Sequence, residues 1–210
     1  MRTILVFCAH SDDEAISMAG TIAKYVSERG KVIKIVFSSG EKSSPHLREN
    51  YVKKERSKET DIACSYIGIC ESINLNLKDT MLKKEIERSF VAKRVRELIM
   101  LNRPEKIFIP SAKDPHPDHR AVNKCVMNVI NSMKKHYSVY AYEVWNIIDE
   151  THPQMYVDIS DFMDKKMEYI KIFKSQRMYM FTLYFPAWIR AFYYGRKNHS
   201  KYAERFYKLK

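Results

Sequence analysis

The chain has 210 residues, a formal net charge of +12, and hydrophobic and charged fractions of 45% and 30%. These values indicate one folded domain with a sizeable core, and they argue against wholesale disorder. No apolar run has the length needed to cross a bilayer, and residues 1–9 lack the cleavage site of a secretory signal. The basic excess favours anionic ligands, although lysine-rich surfaces often serve only solubility.

The four cysteines, Cys8, Cys64, Cys70 and Cys125, are scattered and form no C-x-x-C pair. Such spacing is typical of reduced thiols and predicts a cytoplasmic protein. The chain contains five glycines and no Gly-rich phosphate loop, which counts against a nucleotide-binding Rossmann protein.

Short β-branched runs alternate with longer helical patterns along the chain. The predicted strands are, in order, Thr3–Cys8, Lys31–Phe37, Glu71–Leu75, Glu105–Pro110 and Val139–Trp145. The predicted helices between them are Glu14–Arg29, Arg48–Ile67, Lys83–Asn102 and Arg120–Lys135. This alternation predicts an α/β fold: a single Rossmann-like domain over residues 1–210, with a mostly parallel sheet and helices on both faces.

Two of the predicted strands end in polar loops. The first strand runs into "AHSDDE" at residues 9–14, and the fourth runs into "SAKDPHPDHR" at residues 111–120. In a doubly wound sheet, ligands bind beyond the carboxyl ends of the strands, where the strand order reverses. With the usual strand order these two strands are neighbours, so we expect both loops to face one crevice.

The residue types in these loops suit a catalytic metal site. His10 and Asp13 lie three positions apart in the first loop, and His116 and His119 lie three apart in the second. One carboxylate and two imidazoles fit zinc with an open position for water, and crowded carboxylates are costly unless a cation offsets them. Asp12 and His116 would then be left for proton transfer.

Each cluster also has a plain structural interpretation. Asp12 or Asp13 could cap the following helix, and His116 and His119 could be surface histidines near a proline turn. A metal site is favoured because the two clusters follow separate strands that we expect to be neighbours.

The paired motifs resemble the LmbE/PIG-L-like zinc-dependent N-deacetylases, whose first motif usually reads A-H-P-D-D-E. Later stretches are similar to that family in the same order: "RSKETDIACSYIGI", "NLNLKD", "YEVW", "VDIS", "KSQ" and "YAERF". The resemblance covers nearly the whole chain. It departs at Ser11, where the family usually has a proline that would stiffen the turn; the Ser11 hydroxyl could cap the following helix instead.

The resemblance implies the metal ligands and the general base. His10, Asp13 and His119 would hold Zn²⁺, and Fe²⁺ or another divalent metal would suit the same donors. Asp12 would deprotonate the water that attacks the amide carbonyl of an N-acetyl group.

The resemblance also implies roles around that centre. His116, oriented by Asp118, would stabilise the oxyanion or protonate the leaving amine. Arg56 and Asp79 fall where the family contacts the sugar. Glu14 would support the site from behind the ligands.

The leading hypothesis is therefore a hydrolase that removes acetyl from an N-acetylglucosamine-type sugar conjugate, a small molecule that could be anionic or lipid-linked. One alternative keeps the metal but acts on a different amide. Another is a non-catalytic α/β module that binds anions.

Residues 179–210 contain eleven aromatic residues, seven Lys or Arg and a single acid, Glu204. The aromatic content favours packing on the domain or at a subunit interface, so we expect a homo-oligomer. Peripheral contact of this basic, aromatic segment with a membrane is the second interpretation, and no nucleic-acid partner is expected.

Overall fold

The computed structural model describes residues 2–44, 46–145 and 151–210, with all their side chains except those of residues 177–181. The strands are β1 (Thr3–Cys8), β2 (Lys31–Ser38), β3 (Glu71–Leu77), β4 (Lys106–Pro110), β5 (Ser138–Tyr142), β6 (Gln154–Asp158) and β7 (Ala203–Lys208). The α-helices are α1 (Asp13–Ser27), α2 (Glu49–Ile67), α3 (Leu82–Glu85), α4 (Ser89–Asn102), α5 (Pro117–Asn131), α6 (Met163–Lys171) and α7 (Arg177–Lys197).

One sheet contains all seven strands, in the order β3-β2-β1-β4-β5-β7-β6. The first five strands pair in parallel, and β7 is antiparallel to both of its neighbours. The predicted mostly parallel α/β sheet is therefore confirmed. The strand order reverses at β1, which lies between β2 and β4, so the loops after β1 and β4 meet at the switch point as expected.

Helices cover both faces of the sheet. Because side chains alternate along a strand, Val6 and Cys8 of β1 belong to one buried apolar cluster, and Leu5 and Phe7 belong to the other. Helices α1, α2, α6 and α7 pack into the first cluster, and α3, α4 and α5 pack into the second. The two helical layers cover the faces of the sheet and leave its carboxyl edge open.

The helix predicted over 83–102 is two helices, α3 and α4. Leu82 and Val91 are both buried in the same apolar cluster. Nine residues of continuous helix would place these side chains on opposite sides, because each residue advances the helix by about 100°. The turn between α3 and α4 allows both to be buried.

The helix predicted to start at Arg120 begins three residues earlier, at Pro117. His116 is its N-cap and accepts a hydrogen bond from the backbone N–H of Asp118, while the proline occupies a first-turn position where its missing N–H costs nothing. This start places His119 in the first turn of α5, directly at the carboxyl edge.

Helix α1 is interrupted at Met18, whose φ of −149° is not helical. The buried Lys166 donates to the carbonyl of Ile16 at 2.8 Å. The carboxylate of Glu204 accepts from the N–H groups of Gly20 and Thr21 at 3.1 and 2.7 Å. The ion pair of these two side chains (2.6 Å) thus replaces the hydrogen bonds that the interruption removes.

Residues beyond 150 add elements that the strand–helix alternation did not predict. Strand β7 lies inside the sheet between β5 and β6. Helix α7 buries Leu183, Ala187 and Ala191 against the first apolar cluster. Among the described helices, none combines the length and the apolar character required to span a bilayer.

Candidate active site

The loops after β1 and β4 line a cleft of about 300 Å³ at the carboxyl edge of the sheet. Its titratable lining residues include His10, Asp12, Asp13, Asp79, His116 and His119. Its apolar lining comes from Ile16, Val144, Trp145 and Leu183. The two polar loops share one crevice, as their positions in the sequence predicted.

Three side chains from the two loops converge on one point. Oδ1 of Asp13 lies 3.2 Å from Nε2 of His119 and 3.8 Å from Nδ1 of His10. The other carboxylate oxygen of Asp13 accepts from the backbone N–H groups of Ala9 and His10 at 2.7 and 3.1 Å, which fixes its orientation. One carboxylate and two imidazoles this close form the donor set of a divalent transition metal.

The second nitrogen of each of these histidines faces another carboxylate. Nε2 of His10 is 3.1 Å from Asp79, and Nδ1 of His119 is 2.9 Å from Asp114. Metal-binding histidines are commonly held in this way, because the outer carboxylate fixes the ring and its tautomer. Burial opposes a positive charge on His119, yet Asp13 and Asp114 raise its pKa to about 9. The pocket favours a cation, and the residues present fit a divalent metal.

A second group of possible ligands, His10, His116 and Asp118, overlaps the first. In that group Nε2 of His10 is 3.6 Å from Asp118, whereas the same nitrogen is 3.1 Å from Asp79. The first group leaves both of its histidines with an outer carboxylate. It is therefore the better candidate for the metal.

Asp12 lies beside the three candidate ligands and is held by Arg56. Nη2 of Arg56 donates to Oδ1 of Asp12 at 2.9 Å and to the hydroxyl of Ser11 at 3.3 Å. The buried guanidinium packs directly on Gly40, where a Cβ would come within 2.8 Å of Cζ of Arg56. Arg56 thus positions Asp12, in addition to the sugar-binding role that the resemblance implies.

The idea that Ser11 caps α1 was wrong. Asp12 is the N-cap residue, and α1 has no side-chain capping bond. The Ser11 hydroxyl accepts from Arg56 instead, because the residue lies one position before the N-cap. Asp13 does not cap the helix either, since its carboxylate bonds backward to Ala9 and His10. The crowded acids of this loop are therefore not explained by helix capping.

His116 is held in a defined tautomer at the start of α5. Its Nδ1 accepts the backbone N–H of Asp118 at 3.2 Å, so the proton of the neutral ring is on Nε2. Burial, and then the positive charges of His119 and His10, lower the pKa of His116. A neutral imidazole with its proton on Nε2 can donate to a developing oxyanion.

The carboxylate of Asp118 contacts the segment that follows β3. Its Oδ2 accepts from the backbone N–H of Thr80 at 3.1 Å. Asp118 therefore orients His116 with its backbone N–H and not with its carboxylate. Asp79 lies in the same segment and accepts from the backbone N–H groups of Lys42 and Thr80 at 3.0 and 2.8 Å. These bonds join three loops of the carboxyl edge around the cleft.

Glu14 lies fully buried behind the first loop. Its carboxylate accepts from Nζ of Lys34 and from the hydroxyl of Tyr169, each at 2.6 Å, and from the thiol of Cys8 at 3.5 Å. Lys34 also donates to the carbonyl of Ser11 at 2.8 Å. Burial opposes the charge of Lys34, but Glu14 raises its pKa above the ordinary value. Glu14 therefore supports the loop through Lys34.

Sequence reasoning missed two residues of this arrangement, Asp114 and Lys34. Asp114 precedes His116 by two positions in "DPHPDH". An acid this close to histidines predicted to bind a metal could have been predicted to contact one of them. Lys34 interrupts the apolar run "KVIKIVF". A lysine inside a buried strand indicates a buried acid partner, because an unpaired buried charge is costly.

Comparison with known proteins gives the family of the chain. The family model described as PIG-L: GlcNAc-PI de-N-acetylase matches residues 5–130. The chain is 26% identical to the probable N-acetyl-alpha-D-glucosaminyl L-malate deacetylase 2 of Bacillus cereus, covering 83% of this chain and 84% of that protein. It is 25% identical to the diacetylchitobiose deacetylase of Thermococcus kodakarensis, covering 97% and 82%.

A similar solved structure is GalB, the 4-carboxy-2-hydroxymuconate hydratase from Pseudomonas putida KT2440. Its TM-score is 0.83 at 20% identity, covering 100% of this chain and 97% of that one. This likeness concerns the fold alone, and a hydratase on the same fold means that the fold by itself does not select the reaction. The family model, in contrast, matches more than half of the residues. The chain belongs to the PIG-L family, described as GlcNAc-PI de-N-acetylases.

Proposed function

We propose that the protein is a metal-dependent hydrolase that removes acetyl from an N-acetylglucosamine-type sugar conjugate. The observation that carries the proposal is the convergence of His10, Asp13 and His119 beside Asp12, each histidine backed by a carboxylate. Membership of the PIG-L family and two relatives named as deacetylases of N-acetylglucosamine conjugates support it. Zinc is the metal we propose, and Fe²⁺ would suit the same donors.

A divalent cation held by these three residues would supply Lewis-acid polarisation of the amide carbonyl and of the attacking water. Asp12 accepts a proton from that water while the water oxygen forms a bond to the carbonyl carbon. Arg56 holds one oxygen of the Asp12 carboxylate at 2.9 Å and so keeps it in one orientation at the cleft.

His116 acts on the carbonyl oxygen. Its Nε2–H donates a hydrogen bond as negative charge develops on the carbonyl oxygen. When the C–N bond breaks, the amine leaves with the proton that Asp12 took from the water, and the products are acetate and the free amino sugar. The backbone N–H of Asp118 holds the imidazole in the required tautomer.

The cleft suits a single sugar carrying an acetamido group. A volume of about 300 Å³ is at the lower end of the range for small-molecule sites, roughly 300–1,000 Å³. Trp145, which is 38% exposed, lines it and offers an aromatic face to a sugar ring. Asp79 lies in the same lining, and we propose that it also accepts from a sugar hydroxyl.

We further propose that the enzyme works in the cytoplasm. All four cysteines are free thiols, and three of them, Cys8, Cys64 and Cys125, are buried. The cytoplasm is a reducing compartment, which keeps cysteine thiols reduced.

Acetate release from a panel of substrates tests the proposal. The panel contains N-acetylglucosamine linked to malate, to a second N-acetylglucosamine and to inositol. We expect Asp12→Asn to keep its bound metal while turnover falls by about 10²–10⁴. Asp61→Asn removes an exposed carboxylate from α2 and should leave turnover unchanged. If no substrate of the panel released acetate, or if Asp12→Asn were fully active, the proposal would be wrong.

A further inference from the structure

Helix α7 presents a second apolar face that the described part of the domain does not cover. Its inner face buries Leu183, Ala187 and Ala191. Its outer face carries five exposed apolar or aromatic residues at helical spacing: Phe185, Trp188, Ile189, Phe192 and Tyr193. We call these five residues the aromatic stripe. A helix that is apolar on both faces normally has a partner on each, so the stripe indicates a binding surface.

The rings of the stripe are ordered against one another. Phe185, Trp188 and Phe192 stack in series, with interplanar angles of 6° and 1°. Trp188 and Phe192 also contact the ring of Tyr202 edge-on. Because these rings already stack on each other, the stripe offers an apolar surface rather than separate ring faces for nucleic-acid bases.

Two exposed cations lie against the rings of the stripe. Helix α7 contains no Asp or Glu. Arg196 lies 5.1 Å from the ring centre of Phe192, and Lys197 lies 4.9 Å from that of Tyr193. Both cations are exposed. Two copies of the chain pairing helix α7 against helix α7 would bring these cations against a helix that contains no acid, which disfavours the self-interface that the composition had suggested.

We propose that the aromatic stripe docks on an anionic lipid surface. Aromatic and aliphatic side chains on one helix face, rimmed by Arg and Lys, match the interfacial region of a bilayer, where acyl boundary and negative headgroups meet. The same helix contributes Leu183 to the cleft lining, so docking brings the cleft close to the membrane. The docking surface stands independently of the proposed catalysis, because lipid binding requires no turnover.

Sedimentation of the 210-residue chain with lipid vesicles tests the proposal. We expect binding to vesicles of phosphatidylcholine and phosphatidylglycerol in equal parts, and much weaker binding to phosphatidylcholine alone. Replacing Arg196 and Lys197 by Gln should weaken binding to the anionic vesicles roughly 30-fold at low salt, since each cation contributes about fivefold. Phe185→Ser with Ile189→Ser should weaken binding by about the same factor. Burying roughly half of each apolar side chain in the bilayer would contribute about as much as one cation, and serine removes that contribution.

Matched controls lie on the opposite face of the sheet. Phe90→Ser with Leu101→Ser removes exposed apolar side chains from α4, and Lys83→Gln with Lys84→Gln removes two exposed charges from α3. Both double variants should bind vesicles like the unmodified protein. Thermal unfolding followed by circular dichroism confirms that each variant is folded.

Three results would overturn the proposal. The first is absence of binding to anionic vesicles at low salt. The second is equal loss of binding in the control variants. The third is a stripe variant that converts an oligomer into a monomer by light scattering without changing vesicle binding, which would assign the stripe to a second copy of the chain.

Discussion

The buried ion pair between Glu14 and Lys34 gives the sharpest stability prediction. Both side chains have no exposed surface, and their charged atoms are 2.6 Å apart. Glu14→Gln keeps the shape of the side chain but removes the negative charge paired with the Lys34 ammonium, which is then left with neutral oxygens such as the carbonyl of Ser11. Breaking a buried pair in this way costs about 3–5 kcal/mol. We expect the free energy of unfolding in urea to fall by that amount.

A double-mutant cycle separates the pair from its surroundings. Lys34→Met alone strands the Glu14 carboxylate and should be about as destabilising as Glu14→Gln. The double variant removes both charges and should lose much less than the sum of the single losses, because no unpaired charge remains. Glu168→Gln, which breaks the exposed pair with Lys171, serves as the control and should be nearly neutral. Additive losses, or a single loss no larger than the control's, would refute the reasoning.

The same pair predicts a pH dependence with a definite sign. Glu14 raises the pKa of Lys34 in the folded protein, against the effect of burial. The stabilisation is therefore complete below the pKa of lysine in the unfolded chain, about 10.4, and is lost as the pH rises above it. The unmodified protein should lose stability faster than Lys34→Met in that alkaline range. Parallel stability curves would contradict the prediction.

Two further predictions concern the residues that hold the site. Asp114→Asn should weaken metal affinity about 10–100-fold while the fold is kept, because the carboxylate near Nδ1 of His119 orients the ring; unchanged affinity in a metal titration would dismiss that role. Gly40→Ala should destabilise the protein by about 1–3 kcal/mol and lower turnover, because φ is +66° and the new Cβ would displace the guanidinium of Arg56. Full activity in the Gly40 variant would show that the position of Arg56 does not matter.

Much of the parallel half of the fold was predictable, because its signals are local. The predicted strands Thr3–Cys8 and Lys31–Phe37 match the observed ones within one residue. The usual strand order then placed the loops after β1 and β4 side by side. The third strand extends two residues further than predicted, and the fifth ends at Tyr142 rather than Trp145. Strand ends depend on pairing with neighbours, which local composition does not reveal.

The remaining features depend on contacts between distant residues. The interruption of α1 at Met18 requires Lys166 and Glu204, which are more than 140 positions away. The insertion of β7 between β5 and β6 likewise follows from antiparallel pairing that no local pattern encodes. Within the site, sequence motifs indicated the candidate ligand residues, whereas the outer carboxylate of Asp114 was found only from its distance to His119.

Metal content measured on the purified protein and three variants tests the central claim most directly. We predict about one divalent ion per chain in the unmodified protein and in His116→Ala, and loss of that ion in His10→Ala and His119→Ala. The comparison of His116→Ala with His119→Ala separates the two overlapping ligand groups, since only the first group contains His119. A folded protein without metal affinity, or loss of the ion in His116→Ala with retention in His119→Ala, would contradict the account.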